Sequence, residues 1–181
     1  MDFIETDIDG VIVIAPKRIG DGRGHFAETF RRDLFREKCG AYDFVQDNQS
    51  LSVEAGTVRG LHFQVEPKAQ GKLVSCLAGA LLDVAVDIMP GSPGFGRHVA
   101  VELSADNGLQ LWVPPGFAHG FCTLAPYTLV AYKVTDYYSR EHERGISWCD
   151  PQLGISWPVE PGRATLSDKD RALPELSGLP G

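Results

Sequence analysis

The chain has 181 residues, of which 43% are hydrophobic, with a formal net charge of -7 and a pI of about 5.2. That length and apolar content suit one globular domain able to bury a core. The acidic balance, without any run of Lys and Arg, excludes a nucleic-acid footprint, and no apolar stretch is long enough to span a bilayer, so neither nucleic acid nor membrane is an expected partner.

The opening Met1-Asp2-Phe3-Ile4-Glu5-Thr6 is acidic and lacks a signal-peptide pattern, and a cytoplasmic protein is expected. Val11 to Ile14 and Gly24 to Phe30 read as strands. A helix is predicted from Arg31 to Cys39, with Thr29 as a candidate cap, Phe30 and Leu34 on one face, and Gly40 at its end. After Phe44-Val45, the residues Gln46-Asp47-Asn48 have the composition of a polar turn.

From Thr57 onward the pattern is nearly all strand. Lys72 to Cys76, Ala80 to Ile88, His98 to Leu103, Gln110 to Val113, Gly120 to Leu124 and Thr128 to Thr135 are short apolar or alternating runs. Turn residues part them, among them Ala78-Gly79, Asp106-Asn107-Gly108 and Pro114-Pro115-Gly116. Many short strands at even spacing predict an antiparallel sandwich or barrel. Within one run, Leu82, Val84, Val86 and Ile88 alternate with Asp83, Ala85 and Asp87, which makes one apolar and one carboxylate-bearing face. The second face can meet either solvent or a ligand cavity. The tail beyond Pro158 is rich in proline and charge, with one helical turn expected before Pro174. Cys39, Cys76, Cys122 and Cys149 form no Cys-x-x-Cys pair, so reduced, mostly buried thiols are expected and a metal cluster is not.

The stretch Arg59-Gly60-Leu61-His62-Phe63-Gln64, followed by Gln70-Gly71-Lys72-Leu73-Val74, carries the chemistry. Histidine exchanges protons near neutral pH, lysine stabilises an oxyanion, and arginine suits phosphate or carboxylate. Base, oxyanion partner and anion clamp are what enolisation of a ketone on a phosphorylated substrate requires. One geometric difficulty stands out. Regular alternation would send Arg59 and His62 to opposite faces of a strand, so a bulge or bend at Gly60 is predicted.

These motifs, with Asp21-Gly22-Arg23-Gly24, Phe26, Glu28, Gln46-Asp47-Asn48, Gly116-Phe117-Ala118-His119-Gly120-Phe121, Tyr132, Tyr137-Tyr138, Trp157-Pro158 and Lys169-Asp170, resemble the dTDP-4-dehydrorhamnose 3,5-epimerases. The resemblance runs from about Ile14 to Asp170. It implies an all-β, cupin-type jelly roll with a few short helices and no bound metal or cofactor. It further implies a homodimer that exchanges amino-terminal strands, a tail from about residue 159 packed back on the barrel, and conversion of dTDP-4-dehydro-6-deoxy-D-glucose to dTDP-4-dehydro-L-rhamnose. Two departures are visible: Met89 stands where the family often has arginine, and Cys149 where asparagine usually precedes Asp150.

The resemblance assigns His62 as base, Asp170 as the carboxylate that orients it, Lys72 as oxyanion partner and Tyr132 as the acid on the other side. Arg23 and Arg59 are assigned to the diphosphate and Tyr138 to stacking on thymine. Glu28, Gln46, Asp47, Asn48, His119, Glu143 and Lys169 complete the implied pocket for the dTDP-sugar. An epimerase acting at C3 or C5 alone is the nearest alternative. A metal-dependent cupin oxygenase would want a His-x-His pair, and the residue two after His62 is Gln64. A sugar-nucleotide binder without turnover would not need the set His62, Lys72, Tyr132 and Asp170.

Overall fold

Two antiparallel sheets face each other across the interior of the structure, a computed structural model in which residues 1–179 are described. The first has six strands in the order β1 (Asp2–Glu5), β2 (Ile12–Ala15), β10 (Gln110–Val113), β7 (Lys72–Ala78), β12 (Thr128–Val134) and β5 (Gln46–Ser52). The second has five, in the order β13 (Glu143–Gly145), β6 (Val58–Gln64), β11 (Phe117–Thr123), β8 (Ala80–Asp87) and β9 (His98–Ser104). A separate hairpin pairs β3 (Arg18–Asp21) with β4 (Gly24–Ala27). From β5 to β13 successive strands alternate between the sheets, apart from the neighbours β8 and β9, and the fold is the jelly roll that the resemblance implies.

Side-chain alternation assembles the core. Val74, Leu111 and Val130 from the six-stranded sheet meet Leu81, Ala85, Phe117 and Phe121 from the five-stranded one. Helix α1 (Arg32–Cys39) lies outside the six-stranded sheet and anchors there through Phe35, whose ring meets Trp112 edge-on at 4.9 Å. Thr29 does not cap this helix. The residue before its first turn is Arg31, which makes no side-chain cap and instead pairs with Asp33 at 2.8 Å, an acidic group placed where the helix dipole favours it.

The alternating run in β8 resolves its own ambiguity. Its apolar face, Val84 and Val86 with Leu82 and Ile88, packs outward against Ile146, Leu153 and Leu176 from the carboxyl-terminal third of the chain. The carboxylate face turns inward, so Asp83 and Asp87 are both buried. Residues beyond 159 also lie against the five-stranded sheet: Ala164 joins Val58, Cys122 and Trp148, and Thr165 bridges to Thr57. The helical turn expected in this tail is α2 (Asp168–Arg171), which starts a little earlier than the sequence suggests because Ser167 caps it by accepting from the Asp170 N–H.

Two boundaries differ in kind from the expectation. Gln46 to Asn48 are not a turn but the start of β5, an edge strand whose polar side chains have ligand space on one side and solvent on the other. The strand at Gly24 stops at Ala27 instead of Phe30, because Phe30 leaves the hairpin to pack on Phe35 and Phe44. No helix among the described residues is long and apolar enough to cross a membrane.

Candidate active site

The predicted irregularity at Gly60 creates the site. Strands β6 and β11 pair His62 with His119 and Arg59 with Phe121, so two residues of β6, Gly60 and Leu61, lie opposite the single Gly120. This bulge shifts the alternation by one and turns Arg59 and His62 into the same cavity. Glycine is required on both sides. A Cβ on Gly60, at φ 121°, would sit 2.6 Å from the Gly120 Cα, and one on Gly120 would sit 2.7 Å from the Arg59 carbonyl oxygen.

The cavity opens between the sheets as two adjoining lobes of about 260 and 310 Å³, with His62, Lys72 and Tyr132 lining both. His62 reaches in from the five-stranded sheet, Lys72 and Tyr132 from the six-stranded one. The Asp170 carboxylate closes on His62, with Oδ1 2.6 Å from Nε2. Burial raises the Asp170 pKa, but the His62 hydrogen bond and charge, with the Ser167 hydroxyl and Lys169, outweigh it and leave the group below its ordinary value. An ionised carboxylate only accepts, so Nε2 carries the imidazole proton and the Nδ1 lone pair is left free to accept one.

Lys72 is buried and donates from Nζ to the His62 carbonyl oxygen at 3.1 Å. Desolvation pushes its pKa down to about 8, against the pull of Asp83 and Glu143. Burial raises the Tyr132 hydroxyl, partly offset by the Arg59 charge, so it keeps its proton at neutral pH.

At the mouth, Glu143 holds two elements together. Its Oε2 accepts from the Tyr138 hydroxyl at 2.8 Å, and its Oε1 pairs with the Lys169 ammonium at 2.6 Å. Burial raises the Glu143 pKa, yet Lys169 and Tyr138 more than offset it and the net shift is downward. Tyr138 as a residue is left 54% exposed. Gln46 and Asn48 point into the second lobe, hydrogen-bonded to each other at 2.8 Å, and Gln46 also accepts from the Tyr138 N–H. Arg59 is steadied by Ser52 and the Leu51 carbonyl, and His119 by Asp83, with Nε2 2.8 Å from Oδ1.

Three of the residues assigned from the sequence are not gathered here. Asp47 lies between Gln46 and Asn48 on β5, so alternation sends it to the outer face, where it pairs with Lys133 at 3.0 Å. Arg23 sits at the tip of the β3–β4 hairpin, 90% exposed and paired with Asp21, and Glu28 is exposed just beyond β4. Within one chain the hairpin stands away from the His62 cavity. Sequence reasoning also missed two contributors. Gln64 holds the loop that carries Tyr138 by donating to the Lys68 and Tyr137 carbonyls and accepting from the Ser139 N–H. Asp83 orients His119; the carboxylate face of β8 was the visible signal for it.

The chain matches the family model of dTDP-4-dehydrorhamnose 3,5-epimerase over residues 5–178. It is 54% identical over 180 residues to the dTDP-4-dehydrorhamnose 3,5-epimerase of Sinorhizobium fredii, covering 99% of this chain and 92% of that protein. Identity to the enzyme of the same name in Escherichia coli is 47% over 180 residues, covering 99% of this chain and 96% of that one. The crystal structure of a dTDP-6-deoxy-D-glucose-3,5-epimerase from Legionella pneumophila, in complex with dTDP-4-keto-L-rhamnose, superposes with a TM-score of 0.94 at 48% identity, covering 99% of this chain and 94% of that one. A 3'-monoepimerase from Streptomyces bikiniensis, in complex with dTDP-quinovose, superposes with a TM-score of 0.88 at 33% identity, covering 96% and 87%. Sequence match over nearly the whole length and close structural superposition agree, and the chain belongs to the dTDP-4-dehydrorhamnose 3,5-epimerase family.

Proposed function

We propose that His62 and Tyr132 act as base and acid on opposite sides of a dTDP-4-ketosugar, converting dTDP-4-dehydro-6-deoxy-D-glucose to dTDP-4-dehydro-L-rhamnose. The single observation that carries this reading is the His62–Asp170 contact of 2.6 Å in a cavity faced by Tyr132 from the other sheet. Carbons 3 and 5 both flank the C4 ketone, so their hydrogens are the acidic ones. His62 Nδ1 takes a proton from one of them. The bonding pair moves into the ring and the carbonyl oxygen gains negative charge. Lys72, close to neutral titration in a desolvated pocket, donates to that oxygen. The Tyr132 hydroxyl then delivers a proton to the far side of the carbon, and solvent restores both side chains. Repetition at the second carbon gives the L-sugar, with no net gain or loss of protons or electrons.

Arg59 suits the diphosphate, and the exposed Tyr138 suits thymine, with Gln46, Asn48, His119, Glu143 and Lys169 as the remaining polar contacts. The single-carbon alternative is not favoured, because the family model and the relatives of about 50% identity are 3,5-epimerases while the Streptomyces bikiniensis 3'-monoepimerase is 33% identical. Incubation with the ketosugar in heavy water separates the two: deuterium at C3 and C5 with L-configured product supports double inversion. Label at one carbon overturns it in favour of the monoepimerase.

Two copies are proposed to pair through the outer face of the six-stranded sheet. Leu51 and Leu77 are exposed there, beside a hollow of about 750 Å³ beneath the β3–β4 hairpin, itself bearing the exposed Ile19 and Phe26. Exchange of the hairpin would carry Arg23 and Glu28 of one copy to the cavity of the other. A sedimentation mass equal to one chain would refute this. Four free cysteines suit a reducing compartment, in line with a cytoplasmic role.

A further inference from the structure

Beneath the cavity, and outside its lining, lies a carboxylate that the reaction described above does not use. Asp83 projects inward from β8 and its side chain is wholly buried. One oxygen binds His119 Nε2 at 2.8 Å, and the other, Oδ2, has no hydrogen-bond partner among the described residues. A buried carboxylate with half of its accepting capacity unfilled is costly unless its charge has a counterpart. The counterpart lies across the interior and acts through space, not by direct contact: Lys72, buried, projects inward from β7, spends one of its three N–H bonds on the His62 carbonyl, and has its charged form favoured by Asp83.

We propose that Asp83 is a positioning residue that acts on two cavity groups at once, holding His119 with its proton on Nε2 and supplying the charge that keeps Lys72 an ammonium. The first effect presents His119 Nδ1 to the cavity as an acceptor, fit for a sugar hydroxyl. The second matters because an amine cannot stabilise an enolate oxygen as an ammonium can. Burial opposes the charged lysine, and Asp83 and Glu143 are the two carboxylates that resist this. The other titratable and charged groups facing Lys72 are His62 on β6, His119 on β11, Tyr132 on β12 and Asp170 on α2, with Arg59 and Lys169 farther round the wall. Asp83 is the carboxylate that belongs to neither the proton relay nor the mouth.

This inference rests on the enolisation reading, and its test separates the two. The kcat pH profile is measured for the wild type, Asp83→Asn and His119→Gln. Wild-type turnover secures the enolisation reading independently. The alkaline limb, set by Lys72, is expected to move down by about one pH unit in Asp83→Asn and to stay in place in His119→Gln, although both lose rate. An unmoved limb in an Asp83→Asn protein that melts and binds dTDP like wild type overturns the proposal, as does an equal movement in both variants. Should Asp83→Asn not fold, nitrogen NMR of the wild-type imidazoles decides: His119 protonated on Nε2 supports the proposal, and protonation on Nδ1 alone overturns it.

Discussion

Asp170 Oδ1 lies 2.6 Å from His62 Nε2, although the two residues are 108 positions apart in the chain. The contact fixes the tautomer, so in the proposed mechanism the base is Nδ1 and its strength depends on a carboxylate delivered by the tail. Asp170→Asn is expected to let the imidazole proton migrate to Nδ1 and to lower kcat by about 10³–10⁴-fold with dTDP affinity kept. Steady-state kinetics with calorimetric titration of dTDP checks this, and a variant within tenfold of wild type would remove the dyad from the mechanism.

Tyr132 stands on the sheet opposite His62. In Tyr132→Phe the base still removes the proton but nothing on the far side returns one. Solvent deuterium should enter the sugar with its configuration retained, because only His62 is left to reprotonate. Mass and NMR analysis of recovered sugar nucleotide reads this directly; inverted product at wild-type rate would assign the acid elsewhere.

Lys72 titrates at about 8 in the folded protein against 10.5 for the ordinary group. Between those values the unfolded chain binds the extra proton, so this residue makes the fold more stable as pH rises through that window and less stable below it. Lys72→Met is therefore expected to be inactive, with a stability relative to wild type that is most favourable at pH 7 and a gap that shrinks towards pH 10. Urea unfolding at both pH values tests the sign, and a gap that widens with pH contradicts it.

If the β3–β4 hairpin serves a second copy, lesions in Arg23 and His62 should complement each other. Arg23→Ala and His62→Ala homodimers are each impaired, but a mixed dimer holds one intact site. Unfolding the two together and refolding them should recover roughly a quarter of wild-type activity from random pairing. No recovery would mean that Arg23 works within its own chain or not at all.

The approach of Gly60 to Gly120 leaves no room for a side chain on either. Gly60→Ala should cost about 3 kcal/mol or more, since backbone would have to move and the bulge would be lost. Thermal melting measures the cost, and a neutral effect would show that the bulge does not depend on glycine.

Much of this site could be read along the chain. The strands from Lys72 onward announced themselves by alternation and turn residues, and the Arg59–His62 conflict with alternation foretold a bulge. Other parts were hidden for definite reasons. Gln46-Asp47-Asn48 is polar because an edge strand bordering a ligand space buries little, and polarity without burial looks like a turn. Thr29 has the right chemistry for a cap but sits two residues before the position that needs one. Asp83 finds His119 through the β8–β11 pairing, which a single sequence does not display.

Composition and local order determined which groups are present and how each strand divides its faces, because side-chain alternation and turn geometry act over a few residues. Only the tertiary structure decided which groups meet. Docking of the tail helix set His62 beside Asp170, pairing of β11 with β8 set His119 beside Asp83, and closure of the two sheets buried Lys72 deeply enough to lower its titration to about 8. Those outcomes depend on non-local packing and on the dielectric it creates, and neither is written in any short stretch of chain.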